Sequence, residues 1–300
     1  MLDYHLHLWP HEERATPLNL EQLEAYCTKA QSAGVQELAV TEHLFRFRQA
    51  EALLGGFWSD DAAPAALAAS MADYWDFHAT ADLDAYVRCA QEAKDAGLPV
   101  VIGLEVDFYR GRMDEVAGLL AGYPFDVLLG SVHWLDAWRF DDIDVPLQMD
   151  EWSARKVDDC WDEYTLALEE LAASGACDVL AHPDLIKVAG YVPDAPDEWW
   201  DRMAEAAASS GMAAELSSAG WRKPVGEQYP ALALLERFVA RGVPLTTASD
   251  AHRLAQVADQ AADLRRLLES VGVHSLQAYC RRMPHTVLVG SPPLPEGEAV

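Results

Sequence analysis

The sequence predicts an α/β protein, built as a barrel or a large wound sheet of about seven βα units. Short apolar runs alternate with longer helical stretches along most of the chain. The helical stretches end in glycine, the residue that best tolerates a left-handed helix stop, and a new apolar run usually starts a few residues later. The length of 300 residues, with 51% hydrophobic and 24% charged residues, suits a globular protein with a full core.

The elements follow in order. The first strand is expected at Leu2–His7. A helix over LEQLEAYCTKAQSAG then closes at Gly34, and the second strand covers Glu37–Thr41. LDAYVRCAQEAKDAG closes at Gly97 ahead of the third strand, Val100–Glu105. The fourth strand is Asp126–Val132. DDCWDEYTLALEELAASG ends at Gly175 and leads to the fifth strand, Cys177–Ala181. WWDRMAEAAASSG ends at Gly211 and leads to Ala213–Leu216. YPALALLERFVARG ends at Gly242 and leads to Leu245–Ala248, with a weaker strand expected at Thr286–Val289. Two stretches break the rhythm, Phe45–Asp82 and Trp134–Arg155. Loops of that length usually carry function or act as lids. No interdomain linker is visible, so residues 1–290 are read as one domain and 291–300 (SPPLPEGEAV) as a disordered tail.

Charge and cysteine usage narrow the function. The net charge is −27, from 49 acids against 22 bases. Such a surface repels phosphate backbones, so no nucleic-acid partner is expected. A small anionic substrate stays possible, because cations reverse the sign locally. Five cysteines without a CxxC pair argue against a disulfide framework or a thiolate zinc site, and a cytoplasmic location is expected. No apolar run is long enough for a membrane span, and MLDYHLHLWPHEE does not read as a signal peptide.

Histidine placement is the main chemical signal. His5 and His7 (DYHLHLW), His43 (VTEHLF), His133 (GSVHW), His182 (LAHPDLIK) and His252 (SDAH) lie at or just past predicted strand ends. Asp3, Glu42, Glu105 (IGLEVDF), Glu215 (AELSSAG) and Asp250 occupy comparable positions. In a βα barrel, strand C-terminal ends share one face, so these scattered residues converge. Strand side chains alternate, so His5 and His7 point the same way, about 7 Å apart along the backbone. Imidazole with carboxylate suits Zn²⁺, Mn²⁺ or Fe²⁺. The donor count exceeds what one cation needs, so two or three divalent ions are expected, with a carboxylate such as Glu105 bridging a pair. Ions held this way lower the pKa of a bound water and clamp an oxyanion, which favours a small phosphoester substrate. A turn at Pro10 is expected to bring His11 over the same pocket, towards His43 and His252. Arg222, Lys223, Arg253 and Arg46 are candidate substrate contacts, and Glu215 is a candidate partner for a ligand histidine. GxGxxG after the first strand, GxxxxGK[ST], GxSxG and HExxH are all absent, which removes the usual dinucleotide, P-loop, serine-hydrolase and zincin readings.

DYHLH, TEH, GLEVDF, GSVHW, AHPD and SDAH, in this order over residues 3–253, resemble the successive metal-binding motifs of the PHP (polymerase and histidinol phosphatase) superfamily. The resemblance implies a distorted (β/α)7 barrel with two or three divalent metals at the strand C-termini and phosphoester hydrolysis. It implies a first metal held by His5, His7, Glu105 and Asp250, a second by Glu105, His133 and His182, and a third by His43 and His252, to which His11 is added. His43, Glu105, Asp250 and His252 are then also the expected catalytic residues. GSVHW, HPDLIK and SSAGWRKPVGEQYP resemble the histidinol-phosphate phosphatases most, which implies hydrolysis of L-histidinol phosphate in histidine biosynthesis. Three alternatives stay open: a phosphodiesterase or nuclease, an amidohydrolase, and a metal-binding module without catalysis. The acidic charge disfavours long nucleic acids, and the absence of a lysine beside Glu105 disfavours the amidohydrolase reading.

Overall fold

The structure, a computed structural model, describes residues 1–59 and 63–290. The expected tail at 291–300 lies outside the described residues. Seven parallel strands stand in sequence order: β1 (Leu2–Asp3), β2 (Glu37–Val40), β3 (Val100–Asp107), β4 (Val127–Ser131), β5 (Val179–Leu180), β6 (Ala213–Ser217) and β7 (Leu245–Ala248). The sheet curls so that its ends meet. Tyr4 N donates to Thr247 O at 2.9 Å, and Asp250 N donates to His5 O at 2.8 Å. His7 N donates to Ala251 O at 2.7 Å. These bonds nearly close a parallel barrel. Every residue of β3, β6 and β7 is buried, as expected of parallel strands covered on both faces. Gly103 in β3 has a steric reason: a Cβ there would lie 2.9 Å from both Thr41 Cγ2 and Val127 Cγ1.

Ten α-helices surround or cap the barrel among the described residues: α1 (Leu20–Ser32), α2 (Arg48–Leu54), α3 (Ala65–His78), α4 (Leu83–Asp95), α5 (Met113–Leu120), α6 (Pro146–Ala154), α7 (Val157–Ser174), α8 (Asp197–Ser210), α9 (Leu232–Ala240) and α10 (Ala261–Ser270). Asn19 and Asp82 start α1 and α4 by accepting Gln22 N and Ala85 N, both at 2.9 Å. Gly175 and Gly211 end α7 and α8 in the left-handed region, at φ 66° and 74°.

Three expectations change. The stretches Phe45–Asp82 and Trp134–Arg155 are not simple loops; the first holds α2 and α3 and the second holds α6. Alanines mixed with aromatics in α3 leave no clear apolar stripe, because one helix serves both core and cavity. The first strand pairs as a ladder only over Leu2–Asp3, and His5 and His7 lie beyond it, where Leu6 pairs singly with Ala251. The weak eighth strand is half of an antiparallel hairpin, β8 (Ser275–Cys280) with β9 (Met283–Leu288), apart from the barrel sheet. Its turn uses Arg281 and Arg282 at φ 49° and 61°, without the glycine or asparagine that normally marks such a turn.

Candidate metal centre

The strand ends deliver the histidines to one point. Glu105, near the end of β3, is fully buried and stands at the centre. His43 Nδ1 lies 2.7 Å from its Oε2, and His5 Nε2 lies 3.2 Å from the same oxygen. On Oε1, His182 Nε2 lies at 2.9 Å and His133 Nε2 at 3.3 Å. His7 Nε2 is 3.5 Å from Glu105 Oε2 and 3.4 Å from Asp250 Oδ1. The His252 ring stacks 4.3 Å from the His7 ring. His182 and Asp250 hold left-handed backbone, φ 26° and 49°, the kind of strain found where side-chain aim matters more than backbone comfort.

Supporting groups fix the rings. Glu215 Oε2 meets His5 Nδ1 at 2.8 Å, the partner role anticipated for it. Asp107 Oδ1 meets His133 Nδ1 at 2.6 Å. The sequence reading did not single out Asp107, although its position two residues after Glu105 on one strand puts both carboxylates on the same face. Glu42 accepts from the backbone N–H of Leu8 and Trp9, which shapes the chain leaving His7. Asp3, grouped with the strand-end carboxylates above, faces elsewhere: it takes Ser249 N, Ser249 Oγ and Ala258 N and stitches β1 to the segment after β7.

The residues fit divalent cations. His7 Nδ1, His43 Nε2 and His252 Nε2 are buried without a hydrogen-bond partner, and unpaired buried polar atoms are rare unless something else binds them. Four donor triplets lie within 4.8 Å among the described residues: His5–His7–Asp250, His5–Glu105–His182, His43–Asp107–His133 and His7–His43–His252. They overlap, so the cluster is able to hold two to three ions. Burial opposes ionisation of Glu105 and Asp250, yet the surrounding histidines, His5 foremost, hold both carboxyls well below their ordinary range. Burial and the neighbouring His7 push His43 and His252 well below theirs, which keeps them neutral and ready to ligate. Burial also opposes a charge on His133, but Glu105 and Asp107 raise its pKa to about 10, so a cation there competes with a proton. His11 joins none of the four triplets. Its exposed ring stands 4.3 Å from that of His252 and 5.1 Å from that of His43, at the rim.

Above the cluster lies a cavity of about 770 Å³. α3 contributes Tyr74 and Phe77 to its wall, and the segment before α6 contributes Asp141. Of the four cationic substrate candidates, Lys223 alone lines it. Arg46 is fully buried and spends its guanidinium on Trp9 O, Pro10 O and Glu13 O. Arg222 holds Ser249 O and Asp250 O and pairs with Asp259, so it anchors the Asp250 segment. Arg253 pairs with Glu12 at the exposed rim. Arg46 and Arg222 serve loop architecture, because the backbone carbonyls beside them need donors.

Residues 5–219 match the family described as the PHP domain. A Deinococcus radiodurans protein named a probable histidinol-phosphatase is 34% identical over 200 residues, 66% of this chain and 75% of that relative. The crystal structure of histidinol phosphate phosphatase from Lactococcus lactis, complexed with zinc, L-histidinol and phosphate, aligns with a TM-score of 0.65 at 19% identity, over 95% of this chain and 98% of that one. A Listeria monocytogenes protein assigned as a histidinol phosphatase aligns with a TM-score of 0.67 at 18% identity, over 88% and 99%. The two structures share the fold. Among the described residues, no helix is long and apolar enough to cross a membrane.

Proposed function

The chain belongs to the PHP domain family and carries its metal-dependent hydrolase type of site, and from that premise we propose that it hydrolyses a small phosphomonoester, L-histidinol phosphate first among candidates. One observation carries the reading. The cation-binding cluster forms one side of the cavity, and the wall above it holds the Asp141 carboxylate. A phosphoryl group belongs at the cluster, and a cationic alcohol belongs against Asp141. L-histidinol supplies that cation as its ammonium. The 34% identical relative supports the same reading.

Divalent cations, when bound, activate water and neutralise charge on the phosphoryl group. Glu105 and Asp250 hold negative charge at the cluster, and the neutral His43 and His252 donate lone pairs. Glu215 and Asp107 keep His5 and His133 in place by hydrogen bonds to their other ring nitrogens. Lys223 offers a further positive charge to the phosphate. The aromatic wall of Tyr74 and Phe77 excludes water and packs the alcohol portion. The cavity suits one small ester, and the net charge of −27 disfavours a nucleic-acid strand. The domain reading, a single barrel unit over 1–290, belongs to this proposal.

A screen of metal-reconstituted protein tests it. The expected result is a higher kcat/KM on L-histidinol phosphate than on mononucleotides or phosphodiesters. Equal or better turnover of a diester or a mononucleotide would overturn the substrate while leaving the hydrolase site in place.

A further inference from the structure

Tyr229 lies in the GEQYP segment. It lines the cavity, yet it is only 1% exposed, and its hydroxyl has no hydrogen-bond partner. An orphaned buried hydroxyl is costly and uncommon. The surrounding structure nonetheless holds the residue firmly. Tyr229 N donates to Ser217 O at 3.1 Å, and Ser217 N donates to Tyr229 O at 2.6 Å, which pins the residue to the end of β6. Lys187, itself buried, donates to Gln228 O at 2.9 Å and places its ammonium 5.3 Å from the Tyr229 ring centroid. Asp184 accepts from Ala231 N at 2.8 Å. The HPDLIK segment that carries His182 therefore also clamps the chain on both sides of Tyr229.

The ring stands edge-on to His182, with centroids 6.3 Å apart. His182 belongs to the donor cluster, so Tyr229 borders the part of the cavity where a phosphoryl group would sit. Tyr74 and Asp141 border the part assigned to the alcohol. A phenol is protonated at neutral pH, so the hydroxyl is available as a donor. A fixed, unspent donor at such a point strengthens binding of a charged oxygen.

We propose that Tyr229 is a phosphate-binding residue, its hydroxyl donating a hydrogen bond to a non-bridging oxygen of the phosphoryl group held at the cluster. The inference rests on the phosphomonoesterase reading above. The test is Tyr229→Phe in the full chain, reconstituted with Mn²⁺ alongside wild type. Affinity for inorganic phosphate is measured by calorimetry, turnover on an aryl and an alkyl phosphate, and metal content and Tm on both proteins. The expected result is phosphate binding weakened by about tenfold or more, an effect suited to a hydrogen bond to a charged group. Turnover should fall by a similar factor on both esters. Metal content should be unchanged, and Tm unchanged or higher, because phenylalanine removes an orphaned hydroxyl. A tyrosine with a purely structural hydroxyl bond would instead lower Tm on this change. Phosphate affinity within twofold of wild type would overturn the proposal, as would a loss confined to the alkyl ester, which would place the hydroxyl on the leaving oxygen. If wild type itself neither binds phosphate nor cleaves either ester, the phosphomonoesterase reading fails and this inference falls with it.

Discussion

Replacing Arg46 separates the role its sequence position suggested from the one its surroundings give it. The side chain is 0% exposed. Its Nε lies 3.4 Å from Glu42 Oε2, and its Nη atoms donate to Trp9 O and Pro10 O, both at 3.1 Å, and to Glu13 O at 3.3 Å. Arg46→Met keeps most of the stem and deletes all of these donors. Glu42 is then left as a buried charge without its cation. Breaking a buried ion pair from one side costs about 3–5 kcal/mol, a large share of the roughly 5–15 kcal/mol that a typical domain commands. The carbonyls of Pro10 and Glu13 lie near the surface and recover water, so the ion-pair figure dominates. Arg46→Lys should recover only part of the loss, since an ammonium can meet Glu42 but cannot fork to three carbonyls. Equilibrium urea unfolding of the metal-loaded proteins measures the cost, and steady-state kinetics measure KM in parallel. A loss below about 1 kcal/mol together with a clearly raised KM would refute the loop-anchoring argument and return Arg46 to the substrate.

Further outcomes are expected elsewhere. Protein purified without chelator should contain at least two divalent ions per chain, and His11→Ala should lose about one equivalent, partly recovered in excess metal; elemental analysis decides, and unchanged content in the variant would leave His11 at the rim without a ligand role. Asp107→Asn should weaken cation binding about 10–100-fold by releasing the His133 ring, read by competition with a metallochromic chelator. His78 has its pKa lowered to about 3, by burial first and then by Arg46, Arg139 and Arg14. A depressed histidine contributes stability that is complete above its unfolded pKa and is lost as pH falls. Between pH 7 and pH 5 the loss reaches roughly 2 kcal/mol. His78→Phe, into the aromatic surroundings of Phe45 and Tyr74, should flatten that part of the urea-midpoint profile against pH.

Some of this was legible in the residues themselves. The alternation of apolar runs with glycine-terminated helices stated a parallel βα architecture, because strand burial and helix stops are local properties. The positions of His5, His7, His43, His133, His182 and His252 at strand ends stated a shared site, because a parallel barrel brings those ends to one face. The tertiary structure decided what depends on partners distant along the chain. Arg46 meets the segment around Pro10, Arg222 meets Asp250 and Asp259, and Asp3 meets Ser249. A cation beside a motif looks like a phosphate ligand until the carbonyls that claim it are placed. The cavity-wall helix α3 and the β8–β9 hairpin were equally hidden: one packs on two sides and loses its periodic stripe, and the other turns at two arginines. Periodicity records which face of an element is buried, but it does not record what that face is buried against.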